Sequence, residues 1–234
     1  MKKLIYFLSC CFALWLLNTS VCFAQLQEQR KNLAVGINGG VNFNRMDFSP
    51  RIPLTSLNSP TIGFTARYIV EKYFKMICGI QMELNYSQRG WKEKIEDGSG
   101  DTYHRDISYI EVPVLAHLAF GKDKDKGLRF IVNLGPQFSY YLSDKENKSA
   151  TWDTSHRPNG VIAQYDKPIE HKFDYGLVGG AGLEIRTAIG AFLLEGRYYY
   201  GLSDIFNNGK KDFFARSANT YMGVRLAYLI DIKK

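Results

Sequence analysis

The amino-acid sequence predicts an all-β fold of eight antiparallel strands that follow one another along the chain. Eight stretches alternate apolar and polar side chains with the period of two that a β-strand requires. The connections between these stretches are alternately long and short. With 234 residues, the chain is long enough for one domain of good size.

Residues 1–24 predict a signal peptide that is removed. Met1–Lys3 is basic, and the apolar run Leu4–Leu17 is too short and wrongly flanked for a spanning helix. Cys22–Ala24 places small residues at the two positions that a signal peptidase reads. We therefore expect cleavage after Ala24 and a mature domain at residues 25–234.

The composition of the mature domain argues against a nucleic-acid-binding protein and against a domain stabilised by disulfides. Loss of the leader removes two lysines and no acid, so the formal net charge of +7 falls to +5. This mildly basic balance does not indicate a nucleic-acid partner. Cys78 is the one cysteine that remains after cleavage, so an intrachain disulfide cannot hold the exported chain together.

The first three strands are predicted at 33–43, 62–70 and 76–87. In the third, every second residue from Met76 to Tyr86 is apolar, and those from Gly79 to Ser87 between them are small or polar. The segment 44–60 contains three prolines and predicts a loop, whereas 71–75 predicts a short turn.

Strands four and five form a hairpin with arms at 109–120 and 128–141. Apolar residues from Ile110 to Phe120 share one face of the first arm, and the second arm alternates in the same way. The charged segment 121–127 between them predicts a solvated turn. The polar segment 88–107 before the hairpin predicts a loop.

The last three strands show the same alternation. The expected elements are a loop at 142–172, a strand at 173–186, a tight turn at 187–190, a strand at 192–199, a loop at 201–218 and a strand at 221–230. The short connections therefore contain about four to seven residues and the long ones about 17 to 31, against a usual ~4 to 6. This alternation of short and long connections is typical of outer-membrane barrels, which have short periplasmic turns and longer outer loops.

The two faces of the strands distinguish a soluble, lipocalin-like barrel from a membrane barrel. A soluble barrel needs charge on most strands of its outer face. Here the apolar face carries no charge on any strand, as contact with hydrocarbon requires, because a midplane Lys or Arg costs roughly 2 to 4 kcal/mol. The sequence therefore predicts an eight-stranded antiparallel up-and-down transmembrane β-barrel with short periplasmic turns and long outer loops.

The polar face carries one or two charges per strand, and acids balance bases. An eight-stranded interior is just wide enough for side chains to fill, and unpaired buried charge is costly, so we expect pairing across the lumen. The predicted lumen charge network consists of Arg67, Glu83, Glu111, Glu184, Arg186, Glu195, Arg197 and Arg225.

Aromatic residues cluster at the strand ends, as in interfacial girdles. The outer ends carry Tyr86, Trp91, Phe138, Tyr140, Tyr141 and Tyr198–Tyr200, and the inner ends carry Tyr68, Phe74, Phe120, Phe130 and Tyr228. A general preference of aromatic residues for strands explains their number but not their position.

Four segments carry a resemblance to a known family. They are YIEVP at Tyr109–Pro113, NLGP at Asn133–Pro136, GGAGLE at Gly179–Glu184 and RYYYGLSDI at Arg197–Ile205. In this order and spacing they resemble the PorT-like family, small outer-membrane β-barrel domain proteins of Bacteroidota. The resemblance spans nearly all of the mature chain and implies an outer-membrane barrel. The name-giving member of the family takes part in type IX protein secretion.

No pattern in the sequence indicates a cofactor or a metal. The glycines between Gly176 and Gly182 lack the Lys-Ser/Thr of a phosphate-binding loop, and the strand continues through them. The four histidines show no metal-ligand spacing. His117 is expected in the lumen, and the other three in loops.

Two trios in the outer loops have the composition of a rim catalytic site. They are Asp101, His104 and Asp106 in one loop and Asp153, Ser155 and His156 in the next. Polar loops of this length contain such trios by chance, so the chain is interpreted as not an enzyme.

We interpret the chain as an integral protein of the cell outer membrane with a structural or interaction role, as an accessory to a secretion or envelope complex. Its expected partners are outer-membrane lipid and envelope or secretion proteins, with no nucleic acid. A small transporter or pore is the alternative, and a rim enzyme is a third.

Overall fold

A computed structural model describes residues 27–121, 126–154 and 161–233. Nine strands in these segments form one antiparallel sheet. They are β1 Gln27–Ser49, β2 Leu54–Thr55, β3 Leu57–Tyr73, β4 Met76–Glu93, β5 Tyr103–Gly121, β6 Gly127–Lys148, β7 Phe173–Thr187, β8 Gly190–Gly201 and β9 Arg216–Lys233. No helix in these segments is long and apolar enough to cross a membrane. The predicted signal peptide and most of the charged turn at 121–127 lie outside the described residues.

Eight of the nine strands close into a ring. Each long strand pairs with the next long strand along the chain, and β1 also pairs with β9, from Leu33 opposite Lys233 to Ser49 opposite Arg216. The two-residue strand β2, which sequence alternation did not predict, pairs with the end of β4. The predicted antiparallel all-β arrangement is confirmed, with one short strand more than expected.

The two ends of the ring differ in their connections. At what we call the short-turn end, β3 joins β4 through Phe74 and Lys75, and β7 joins β8 through Ala188 and Ile189. The chain also enters β1 and leaves β9 at this end. The longer connections, such as 149–172 and 202–215, lie at the opposite, long-loop end. The connections therefore follow the predicted alternation.

The strands extend further toward the long-loop end than predicted. The expected loop at 88–107 shrinks to 94–102, because Trp91 and Arg105 are paired residues of β4 and β5. The expected loops at 44–60, 142–172 and 201–218 also lose residues to strands. The polar composition of these segments predicted loops. Their polar residues nevertheless continue the backbone pairing of the strands, and neighbouring aromatic residues pack inside the ring.

Burial alternates along each strand and separates an inward from an outward face. On the outward face, Phe64, Leu134 and Leu226 are more than half exposed. On the inward face, Glu111 and Gln137 are fully buried. Within the predicted strand bounds the outward face is apolar and the inward face is polar, as expected, whereas the extension of β1 carries the exposed charges Arg45 and Asp47.

Three of the predicted girdle aromatics belong to the interior instead, and one of them, Tyr141, is partly buried and packs against Tyr109. Trp91 and Tyr199 are fully buried, whereas their neighbours Tyr86 and Tyr200 lie on the outward face. Trp91 continues the β4 ladder beyond a glycine with positive φ, Gly90. Clustering at strand ends therefore did not distinguish outward aromatics from inward ones.

Candidate functional site

Two ion pairs cross the full width of the ring. Arg197 on β8 donates to Glu83 on β4, with Nη1 2.7 Å from Oε2 and Nη2 2.5 Å from Oε1. These strands are four places apart in either direction round the ring. Arg67 on β3 pairs with Glu184 on β7, which is also four places away. Each pair therefore joins diametrically opposite walls.

Amide side chains link these ion pairs to their surroundings. Gln81 Oε1 accepts hydrogen bonds from Arg67, and its Nε2 donates to Glu83 Oε1 at 2.7 Å. Arg197 Nε donates to Glu195 at 2.9 Å, and Asn133 Nδ2 donates to the other oxygen of Glu195 at 2.9 Å. Because these acceptors and donors are matched, the buried charges are both neutralised and hydrogen-bonded.

Arg89 on β4 forms a second buried centre, nearer the long-loop end. Its Nε donates to Glu111 Oε1 at 2.7 Å, and its Nη1 donates to Asp174 Oδ2 at 2.5 Å. Its Nη2 donates to Ser139 Oγ at 2.8 Å. Each nitrogen of the guanidinium thus has an acceptor, although the side chain is 1% exposed.

Three tyrosine rings surround the same guanidinium. The Arg89 Cζ atom lies 4.5 Å from the centroid of Tyr199, 4.9 Å from that of Tyr109 and 5.4 Å from that of Tyr221. Such contacts of a cation with ring faces add to the ion pairs when both are desolvated. Arg89 is therefore the most enclosed cation of this part of the interior.

Arg225 and Glu111 are less fully paired. Arg225 Nη2 lies 3.8 Å from Glu111 Oε2, and its Nη1 donates to Thr61 Oγ1 at 2.5 Å. Among the described residues, Arg225 Nε and Nη2, Glu111 Oε2 and Gln137 Nε2 have no hydrogen-bond partner. Arg225 and Glu111 are therefore less tightly hydrogen-bonded to each other than Arg197 and Glu83 are.

Arg186 lies at the edge of the network. It pairs with Asp231 near the short-turn end, and its Nη1 is 3.8 Å from Glu184 Oε1. Its side chain is 18% exposed, whereas the other seven predicted network residues are exposed by 5% or less. Arg129 also approaches Glu184, at 3.4 Å.

Apolar clusters lie inside both ends of the ring. The cluster at the short-turn end is formed by Ala34, Ile77, Ala119, Ile131, Ala191, Leu193 and Leu229. The cluster at the long-loop end is formed by Met46, Phe48, Ile52, Trp91, Tyr103, Ile107, Tyr109, Ile169, Ile205, Phe206 and Phe214. The charged centre is thus enclosed between two apolar layers.

Sequence reasoning missed several charged residues that contribute to this interior, among them Arg89, Arg105, Arg129, Asp174 and Asp231. The signal for Arg89 was present, because Gln81, Glu83, Asn85 and Ser87 set a period of two that continues to residue 89. The polar composition of 88–107 assigned Arg89 to a loop. Asp174 lies on the polar face of its predicted strand but was not counted among its charges.

The loop trio that the structure describes, Asp101, His104 and Asp106, does not form a catalytic relay. Asp101 Oδ1 accepts hydrogen bonds from Ser149 Oγ at 2.7 Å and Thr151 Oγ1 at 2.6 Å, and so ties two loops together. His104 Nε2 lies 3.6 Å from Asp106 in an exposed position. Ser155 and His156 lie outside the described residues. No group of three or more potential metal ligands occurs in the part that is described.

Comparisons with protein families and with curated proteins give one match. A family model described as outer membrane protein beta-barrel domain matches residues 23–207. A search of curated proteins gives no match.

Among solved structures, the chain is similar to Ail, the attachment invasion locus protein of Yersinia pestis, in complex with the heparin analogue sucrose octasulfate. The TM-score is 0.35 with 15% identity over 86% of this chain and 100% of that chain. It is also similar to the N-terminal β-barrel domain of Pseudomonas aeruginosa OprF, with a TM-score of 0.36 and 14% identity over 87% and 100%. For Neisserial surface protein A the TM-score is 0.36 with 11% identity over 86% and 98%.

Proposed function

This chain belongs to the outer membrane protein β-barrel domain family, and from that premise we propose that it is a closed barrel with a structural or interaction role. Its location is the outer membrane. In this proposal the eight-membered ring is a transmembrane up-and-down barrel. Its short-turn end faces the periplasm and its long-loop end faces outward.

The observation that carries the proposal is the filled interior. The Arg197–Glu83 and Arg67–Glu184 pairs join opposite walls, so they occupy the axis along which a solute would pass. Above and below them the interior is packed with apolar side chains. A permanent aqueous pore needs a continuous and open polar path. The two apolar layers interrupt the polar path, and the ion pairs between them fill the axis. The filled interior therefore argues against the pore alternative.

The long-loop end supports an interaction role because its connections are tied into one packed layer. The amides of Glu170 and His171 both donate to the carbonyl oxygen of Ile205, at 3.0 and 3.1 Å. The amide of Ile205 in turn donates to the carbonyl oxygen of Ser217 at 3.0 Å. A surface whose loops are ordered before binding loses less conformational entropy when a partner docks.

We propose envelope or secretion proteins as the partners of this surface, with the chain as an accessory subunit. The resemblance to the PorT-like family of Bacteroidota favours this choice. The proposal includes removal of residues 1–24. Mass measurement of the mature protein tests that part, because cleavage after Ala24 leaves Gln25 as the first residue.

Site-specific photo-crosslinking in intact cells tests the interaction role. A photoreactive residue at Ile162 or Phe213, both about half exposed at the long-loop end, should capture a defined set of envelope proteins. The matched control is Leu134, which is exposed to a similar degree on the outward apolar face and should capture lipid instead. A lone barrel with no protein adduct at either loop position would refute the accessory role.

Conductance measurements separate this role from the pore alternative. In planar bilayers, the wild-type protein should give no stepwise current at any holding potential that the bilayer withstands. Reproducible single-channel steps would replace the closed-barrel proposal by the small transporter or pore. A control barrel of known conductance in the same bilayers establishes that insertion is detected.

A further inference from the structure

A cleft of about 480 Å³ opens on the outside of the ring at the long-loop end. It lies where the 149–172 connection enters β7 and where the 202–215 connection leaves β8. Its walls differ in chemistry, because one is aromatic and apolar and the other is polar and charged. A ligand of the cleft must therefore have an apolar part and a polar part.

The apolar wall is continuous with the outward face that contacts lipid. Phe173, Tyr175 and Leu202 line it, and each is about half exposed. Phe173 stacks on Phe138 of β6, with ring centroids 6.2 Å apart and planes at 18°. The wall is thus part of the aromatic belt at the upper edge of the outward apolar face.

The carboxylates of the polar wall are already occupied. Glu170 accepts hydrogen bonds from the Asn207 amide at 2.6 Å and the Asn207 Nδ2 at 3.0 Å. The backbone hydrogen bond from Asn207 lowers the pKa of Glu170, with a smaller lowering from Lys167. Asp204 accepts from the Ser217 amide at 2.5 Å and from Asn208 Nδ2 at 2.9 Å. The oxygens of both carboxylates therefore already accept hydrogen bonds from loop residues, which makes a cationic ligand a poor fit for the cleft.

The same wall has one free donor. His171 Nδ1 donates to the Asp204 carbonyl oxygen at 2.9 Å, which fixes the ring and leaves Nε2, an acceptor in the neutral imidazole, without a partner in the described segments. The Lys172 ammonium has no side-chain partner in these segments either, and the residue is exposed. A lysine ammonium is a point donor well suited to an anionic oxygen such as that of a phosphate.

We propose that this cleft binds the phosphorylated headgroup of an outer-leaflet lipid, with Lys172 at the phosphate and the acyl chains along Phe173 and Tyr175. The proposal rests on the orientation given under Proposed function, in which the long-loop end faces outward. It assigns the cleft one occupant, because the free Lys172 ammonium suits an anionic oxygen and the adjoining wall suits a hydrocarbon chain.

Native mass spectrometry of the purified full chain tests the proposal. The probes are a phosphorylated lipid A and its dephosphorylated form, each offered to the protein in mixed micelles. The variant Lys172→Glu should retain the phosphorylated lipid about tenfold less well, the loss expected for one charge-assisted hydrogen bond. Lys172→Arg should retain it as well as wild type does. The matched control Lys92→Glu changes an exposed lysine at the same end of the ring, outside the cleft, and should have no effect.

Three results would overturn the proposal. One is equal retention of the two lipids by the wild type. Another is unchanged retention by Lys172→Glu, or an equal loss in Lys92→Glu. The third is displacement of the lipid by excess inorganic phosphate, which would show a site for the free ion instead of a lipid.

A separate measurement distinguishes failure of the cleft from failure of the orientation. A cysteine at Phe213, exposed at the long-loop end, should react with a membrane-impermeant maleimide on intact cells. Labelling together with unchanged retention by Lys172→Glu would refute the cleft alone. Absence of labelling would refute the orientation, and with it the outer-leaflet ligand.

Discussion

Arg197 reaches Glu83 across the whole interior of the ring, although the two residues are 114 positions apart in the sequence. The contact uses two hydrogen bonds between a guanidinium and a carboxylate, and both side chains are almost fully buried. Without its partner, each side chain would be an unpaired buried charge, which is costly. The stability of the interior therefore depends on β4 and β8 together.

Removal of one partner should destabilise the protein strongly. We expect Arg197→Ala to lower the free energy of unfolding by about 3 to 5 kcal/mol, because Glu83 and Glu195 would keep buried charge with less compensation. Urea unfolding in liposomes, followed by tryptophan fluorescence, measures the change. The double variant Glu83→Leu/Arg197→Met removes the diametric charge pair and should lose less than Arg197→Ala does. A double variant that loses as much as the sum of the single ones would contradict the coupling.

Replacement of Arg89 by lysine tests the shape of the cation separately from its charge. A lysine cannot donate to Glu111, Asp174 and Ser139 in the fixed fork that the guanidinium provides. We expect Arg89→Lys to cost about 2 kcal/mol in the same unfolding assay, the loss of one or two charge-assisted hydrogen bonds. Stability equal to wild type would mean that the site needs only a positive charge.

Two glycines on neighbouring strands provide a matched test of packing. A Cβ at Gly182 would lie 2.0 Å from the Leu194 carbonyl oxygen, whereas a Cβ at Gly196 would meet nothing nearer than 3.9 Å. Gly182→Ala should therefore destabilise the protein by about 1 to 3 kcal/mol through forced backbone shifts. Gly196→Ala should be neutral or slightly stabilising, because alanine loses less backbone entropy on folding. The reverse order in thermal unfolding would show that the β7–β8 register differs from the one described.

Charge on the outward face should block assembly in the membrane. Leu226 is 62% exposed near the middle of β9, so Leu226→Arg should cost roughly 2 to 4 kcal/mol in contact with hydrocarbon. Leu226→Ala is the control, because it shortens the same side chain without adding charge. Fractionation of cells should place the alanine variant in the outer membrane and deplete the arginine variant there. Equal amounts of both in the membrane would contradict the lipid-facing assignment.

Acid should loosen the loop layer at Glu170. Its pKa is lowered in the folded protein, chiefly by the hydrogen bond from the Asn207 amide. The stabilisation it provides is therefore present above the ordinary glutamate pKa and is lost as the pH falls through the lowered value. Hydrogen exchange at the Asn207 amide, corrected for its intrinsic pH dependence, should accelerate on acidification. In Glu170→Gln this acid-dependent step should be absent, and its persistence there would assign it to another group.

Period-two alternation in the sequence was enough to predict the antiparallel order and the two faces. It placed Glu83 and Arg197 on the inward side because each follows its polar neighbours at every second position. It could not say which charges meet. Partners such as Arg67 and Glu184 depend on the number of strands in the ring and on the register between them, which are properties of the closed sheet.

Strand ends were predicted less well than strand middles. The segment 88–107 looks like a loop in composition, yet Arg89 and Trp91 are inward residues of β4. Polar residues near the ends still pair their backbones, and aromatic packing from distant loops covers them. These long-range contacts are absent from any local window of sequence, so the polar composition of 88–107 outweighed the period of two that continues to Arg89.

The meeting of Arg197 and Glu83 also constrains how the fold can change during evolution. Two extended side chains have a fixed combined reach, and the diameter of a ring grows with each strand added. A duplicated hairpin inserted into this chain would carry the opposite walls beyond that reach and leave both charges without their partner. The number of strands and the length of the paired side chains therefore have to match. A relative with more strands would need other residues in place of this ion pair.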